Sequence, residues 1–230
     1  MIQFAQPFRL EQEMLEPMMA SCRTLLGLGP ETKSFVAREP SIGRVIPDLL
    51  VALWEGERTA QFEHRLTALD CHVLALIEER GVATATAVQD AFRLRSGRAN
   101  ETLGQLLRKG FLHSTNGAFE LASGATTKNM QIVALEAKLA RWRVALKQAR
   151  SYLAFANSAW VVLDRNQCKI TPMIQAEFQE DGIGLALLCG PVVQVVSTPR
   201  DHLPISGARW LAASKLRRAQ RLQMEDQAGR

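Results

Sequence analysis

Apolar residues in the first segment, about Arg9 to Leu28, recur at three- and four-residue steps: Met14, Leu15, Met18, Met19, Cys22, Leu25 and Leu26. That spacing gives one apolar face and predicts a helix. Pro17 is tolerated in a first turn, so the regular helix starts near Leu15 or bends there. Gly27 and Gly29-Pro30 end it. Phe35, Val36, Val45, Ile46, Leu49, Leu50, Val51 and Leu53 then fall in short runs broken by Pro40-Ser41 and Gly43. These predict two adjacent strands joined by a turn. Asp48 interrupts the second run directly after Pro47. Aspartate is disfavoured in strands, and local rules are broken most often at functional sites.

Residues 66–123 change rhythm. Leu66, Leu69, Val73, Leu76 and Ile77 lie on one helical face that stops at Gly81; TATAVQDAFRL reads as a second short helix and SGRANETLGQLLRKG as a third. FLHSTNGAFELAS follows, with Asn116-Gly117 as a hairpin turn between two strands. Three short helices and a hairpin are the plan of a winged helix-turn-helix. After the polar linker SGATTKN, MQIVALEAKL predicts a buried strand, ARWRVALKQARSYLAFANS a helix and AWVVLD another strand. That order suggests a βαβ unit with a parallel strand pair. GIGLALLC and VVQVVSTP add two strands, and the tail from Ala208 reads as a basic, solvated helix carrying Arg209, Lys215, Arg217, Arg218 and Arg221.

Composition narrows the class without naming it. The 230 residues are 47% hydrophobic and 22% charged, which excludes a disordered or collagen-like chain. The net charge of +5 permits a polyanionic partner without requiring one. No apolar run has the length of a membrane span, and no basic-then-apolar leader opens the chain; the expected setting is the cytoplasm, away from membranes. Cys22, Cys71, Cys168 and Cys189 form no CxxC pair, so reduced thiols are expected. The four histidines show no metal-ligand spacing, which argues against a histidine-based centre.

The chemistry concentrates on three residues. Glu136 and Lys138 sit two apart in the strand predicted over MQIVALEAKL, so both face the same side. Alone they read first as an ordinary ion pair. Asp48, on a neighbouring predicted strand, brings a second carboxylate. Two close carboxylates repel, and a divalent cation relieves the repulsion. Mg²⁺ (or Mn²⁺) suits oxygen ligands and keeps several waters. A lysine beside it would orient or deprotonate a water, and the set amounts to a minimal phosphodiester hydrolase.

Pro47-Asp48 followed by Glu136-Ala137-Lys138 resembles the PD-(D/E)XK nuclease superfamily. Gln148-Ala149-Arg150-Ser151-Tyr152 is similar to the QxxxY signature of one branch. The resemblance covers roughly residues 10–55 and 128–200, with an unusually long stretch between Asp48 and Glu136. It implies a restriction-endonuclease-like α/β fold, a mixed sheet flanked by helices; the winged-helix domain read from residues 66–123 is then an insertion that departs from the family's short hairpin. It also implies a metal-dependent DNA nuclease: Asp48, Glu136 and the Ala137 carbonyl as metal ligands, Lys138 positioning the attacking water, and Gln148 and Tyr152 lining the site. An acidic residue on the first helix commonly completes such sites; Glu11 is the first choice, with Glu13 and Glu16 as alternatives.

The domains are then expected at 1–60 with 125–230 (nuclease-like) and 61–124 (winged helix). DNA is the expected partner. Arg93, Arg95, Arg98, Arg108 and Lys109 cluster around the third helix of the winged helix, with Asn100 and Thr102 near its N-terminal end. Arg143, Lys147 and Arg150 form a stripe at i, i+4 and i+7 that reads as a solvated face or as phosphate contacts. The alternative function is a non-catalytic DNA-binding regulator or an assembly subunit on the same scaffold, and a homodimer or a larger nucleic-acid-processing assembly fits either.

Overall fold

The computed structural model describes residues 6–54 and 64–228. In chain order these form a 3-10 turn (Glu11–Met14), α1 (Leu15–Leu25), β1 (Lys33–Arg38), β2 (Leu49–Trp54), α2 (Ala68–Arg80), β3 (Val82–Thr84), α3 (Ala85–Phe92), α4 (Ser96–Arg108), β4 (Leu112–Thr115), β5 (Ala118–Leu121), β6 (Met130–Lys138), α5 (Trp142–Tyr152), β7 (Ser158–Asp164), α6 (Pro172–Asp181), β8 (Gly184–Cys189), β9 (Val192–Ser197) and α7 (Gly207–Ala228). They divide into two units. One comprises the chain up to Trp54 and Gln131–Leu203; the other comprises residues 55–130 and 204–230.

The first unit is α/β, a mixed six-stranded sheet in the order β1-β2-β6-β7-β8-β9 flanked by helices. β1 and β2 are antiparallel, β6, β7 and β8 run parallel, and β8 and β9 are antiparallel. The parallel strands are buried almost throughout, as strands covered on both faces must be. On one face Met14, Met18, Cys22 and Leu25 pack against Leu49, Val51, Val133, Leu135, Val162 and Ala186. Glu136 therefore points to the opposite face, where the Tyr152 hydroxyl from α5 meets it. Gly184 has a steric reason. A Cβ there would lie 2.4 Å from the indole of Trp160, its register partner on β7.

The strand predicted from Val45 starts later. β2 begins at Leu49, and Ile42 and Val45 form only an isolated bridge. Pro47 has no N–H for the ladder, so pairing starts after it. Two elements were not foreseen. α6 buries only Ile174 and Phe178, too narrow a stripe to announce a helix, and β3 has three residues.

In the second unit, α2, α3 and α4 pack with an antiparallel three-stranded sheet, β3-β5-β4. Thr67 and Asp70 cap the start of α2 reciprocally, at 3.1 and 3.0 Å. Asn116 and Gly117, with φ of 53° and 78°, make the two-residue turn between β4 and β5. The tail belongs here and not with the sheet of the first unit. Arg209, Trp210, Ala212, Ala213 and Leu216 of α7 are buried, and the Trp210 indole N–H donates to Glu78 of α2 at 2.9 Å. The expectation of a solvated basic tail fails because its Trp and Ala positions form a core face. The expected boundary near residues 60–61 lies outside the described residues.

Candidate functional site

The site lies where β2 begins and β6 ends. Asp48 directly precedes β2, beside the buried Pro47. Its Oδ2 accepts the N–H of Ala137 at 2.7 Å, joining residues 89 apart in the chain. Glu136, on the β6 face away from α1, is 1% exposed. Its Oε2 accepts the Tyr152 hydroxyl at 2.5 Å and its Oε1 lies 2.8 Å from the Lys138 Nζ. Lys138 also reaches Glu11 Oε2 at 3.0 Å and its neighbour's carbonyl, Ala137 O, at 3.1 Å.

Of the three acidic residues considered at the first helix, Glu11 alone meets the cluster. Glu13 caps the 3-10 turn, accepting from the Arg9 N–H at 2.7 Å, and Glu16 pairs with Arg38. Glu11 itself stands on the 3-10 turn ahead of α1. The segment before that turn is tethered by Asp164, which sequence reasoning missed. Its fully buried Oδ2 accepts the Phe8 N–H at 3.1 Å and the Gln167 amide at 2.9 Å. The signal was present: like Asp48, it is an aspartate at the end of an apolar strand.

Electrostatics differ sharply within this small group. Burial, then the Glu136 charge, lift the Asp48 carboxyl to about 6, although the Ala137 N–H pulls it back. Burial works against the Lys138 charge. The hydrogen bond and charge of Glu136, helped by Glu11 and Asp48, outweigh it and raise the ammonium above its ordinary value. Tyr152 is pushed upward by burial and by Glu136, so it remains a phenol that donates. With all carboxylates ionised, Asp48, Glu136 and Glu11 face a single ammonium, an excess of two negative charges.

The hard oxygen donors that could hold a divalent cation here are Asp48, Glu136 and the Ala137 carbonyl, with water completing the sphere. Among the described residues, no group of three or more His, Cys, Asp or Glu side chains could hold a metal ion. A cation here would therefore depend on the carbonyl and on water. The other thiols and imidazoles offer nothing comparable. The four cysteines are free, and burial pushes Cys22 to about 11 and Cys71 to about 12, away from reactivity.

The remaining expected residues divide. Tyr152 joins the site. Gln148 lies one turn earlier on α5, and its buried Oε1 has no hydrogen-bond partner among the described residues. Arg143 stacks on Trp142 at 4.3 Å, Lys147 is exposed, and Arg150 is engaged by Asp181 of α6. In the second unit Arg93, Arg95, Asn100 and Arg108 are exposed, while Arg98 pairs with Glu101 at 2.7 Å on the surface. Two residues expected to touch DNA face inward. Thr102 is buried with its hydroxyl on the Arg98 carbonyl, a helical back-bond, and Lys109 holds the buried Asp70 at 3.0 Å. Thr102 lies on the core side of α4, whereas Lys109, half-buried just past its end, is drawn to the Asp70 charge.

Among the described residues, no helix is long and apolar enough to cross a membrane. No family model matches this chain and no curated protein matches it. Among solved structures, a protein of unknown function from Silicibacter pomeroyi is similar over part of the chain, at 21% identity and a TM-score of 0.31; the match covers 44% of this chain and 66% of that one.

Proposed function

We propose that the protein is a Mg²⁺- or Mn²⁺-dependent DNA nuclease with a restriction-endonuclease-like first unit and a winged-helix second unit. The observation that carries this reading is the convergence of Asp48, Glu136, Lys138, Tyr152 and Glu11 at one end of β6. The exposed basic residues around α4 support DNA as the partner, since the N-terminal end of such a helix is where base and phosphate contacts are made.

Bound by Asp48, Glu136 and the Ala137 carbonyl, a divalent cation would supply Lewis-acid activation of water and neutralise phosphate charge. The chain's own residues do the rest. Tyr152 fixes the Glu136 carboxylate through Oε2, leaving Oε1 turned to the cluster. The carboxylates around Lys138 favour its ammonium form, which orients a water and donates to the phosphate. Glu11 steadies the Lys138 head group.

One observation favours a second reading, a DNA-binding regulator or assembly subunit without catalysis. Lys138 already bridges Glu136 and Glu11, an arrangement that stands without a cation. Incubating supercoiled and linear duplex DNA with the wild-type chain, Glu136→Ala and Lys138→Ala, with Mg²⁺, Mn²⁺ or EDTA, separates the two. Cleavage confined to wild type with divalent cation is expected. DNA retention without cleavage under every condition supports the second reading.

A further inference from the structure

A cleft of about 500 Å³ opens beside the cluster, lined by Arg9, Leu10, Glu11, Gln12, Leu139, Ala140 and Arg141. One wall is the chain entering the 3-10 turn and the other is the turn from β6 into α5. Glu11 is shared: it lines the cleft and holds Lys138 at 3.0 Å. Both flanking arginines are exposed, and neither guanidinium has an ion-pair partner among the described residues. Glu13 does not neutralise Arg9; it takes only the backbone N–H.

The start of α5 strengthens the case. Arg141 is its N-cap, no side chain caps the first turn and that turn holds no acidic residue, although the Trp142 and Val144 amides already donate to the carbonyls of Ala140 and Arg141. The positive end of a helix favours anions and disfavours added cations. Here Arg141 and Arg143 add positive charge to that end. An anion held between Arg9 and Arg141 gains from that end of the helix, while Glu11 and the negative cluster it joins oppose it, so the two guanidiniums must carry the binding.

We infer that this cleft seats the phosphodiester backbone of a nucleic-acid strand, with Arg9 and Arg141 gripping phosphates that flank the one presented to Lys138. Exposed Leu10 offers an apolar contact to the adjoining sugar or base. This subsite rests on the nuclease reading for its purpose, but its binding is measurable without cleavage.

The test is a titration of a fluorescein-labelled duplex in EDTA, at several salt concentrations, against the wild-type chain, Arg9→Gln/Arg141→Gln and Arg9→Lys/Arg141→Lys. Melting curves confirm that both variants are folded. Losing two phosphate contacts should flatten the log–log salt slope by about 1.8 and weaken binding at low salt about tenfold or more. The lysine pair should recover part of the loss, since a point charge replaces a planar fork. Unchanged affinity and slope in the glutamine variant, or absence of duplex binding by wild type, overturns the subsite. Inorganic phosphate that displaces the duplex beyond an equal ionic strength of chloride overturns the strand assignment in favour of a free anion. A parallel cleavage assay with Mg²⁺ is read separately: binding that depends on both arginines, without cleavage, keeps the subsite and overturns the nuclease.

Discussion

Ionised Asp48 costs the folded chain stability, and replacing it should reveal by how much. Its carboxyl is raised from 3.8 to about 6 by burial and by Glu136. The folded state therefore prefers the protonated form. That preference contributes stability fully present below pH ~4, lost as pH rises through about 6. Roughly two units at ~1.36 kcal/mol each set an upper figure of about 3 kcal/mol. Asp48 is only partly buried, so solvent screening reduces it to about 1–2 kcal/mol. Asp48→Asn removes the charge and keeps an oxygen that can accept the Ala137 N–H. The variant should melt a few degrees above wild type at pH 8 in EDTA, with the gap closing toward pH 4.5. Millimolar Mn²⁺ should stabilise wild type and leave the variant unmoved, because ligand binding adds stability only where the site can take the ligand. Thermal melts across this pH range, with and without Mn²⁺, give the answer. A variant no more stable than wild type at pH 8, or a gap that does not narrow on acidification, would refute the argument.

Four further outcomes can be checked independently. Tyr152→Phe removes the donor from buried Glu136 and should lower stability in urea by about 1.5–3 kcal/mol, the range for hydrogen bonds to charged groups. Gly184→Ala drives a Cβ into the Trp160 indole and should cost about 1–3 kcal/mol, with a change in native tryptophan fluorescence. Glu78→Ala strands donors on Thr126, Thr127 and Trp210 and should destabilise the second unit by roughly 3 kcal/mol; hydrogen exchange should localise the loss to that unit. If DNA cleavage is found, its rate at limiting Mg²⁺ should fall on acidification, because protons compete with the cation for Asp48; a rate that rises on acidification would count against Asp48 as a ligand.

The convergence of Asp48, Glu136 and Lys138 was more legible than the packing. A strand has a fixed period of two, so Glu136 and Lys138 had to share a face, and Asp48 stood out as a polar break in an apolar run. Asn116-Gly117 announced its turn through backbone sterics alone. The second unit's ownership of α7 was hidden, because its buried positions, Trp210, Ala212 and Ala213, are spaced among arginines that dominate the composition of the tail. Even Arg209, counted as a surface charge, is buried. Its guanidinium bonds Thr127, and burial lowers its pKa to about 10.

The same contrast explains why the helical contributors to the site were less certain than the strand ones. Tyr152 and Gln148 lie four apart on α5, and spacing alone gave them the same face. Hydrogen bonding separates them: the Tyr152 hydroxyl donates to Glu136, while the buried Gln148 oxygen has no partner among the described residues. Glu11 was the first choice on the resemblance, but spacing could not set it apart from Glu13 and Glu16, because a 3-10 turn and a helix with a proline at its third residue have no single period. What distinguishes Glu11 is a tether 153 residues away. Asp164 pins Phe8, and that anchor precedes the turn that carries Glu11 to Lys138. A contact of that range follows from which strand ends neighbour one another in the sheet, so it emerges only once β6 and β7 are paired.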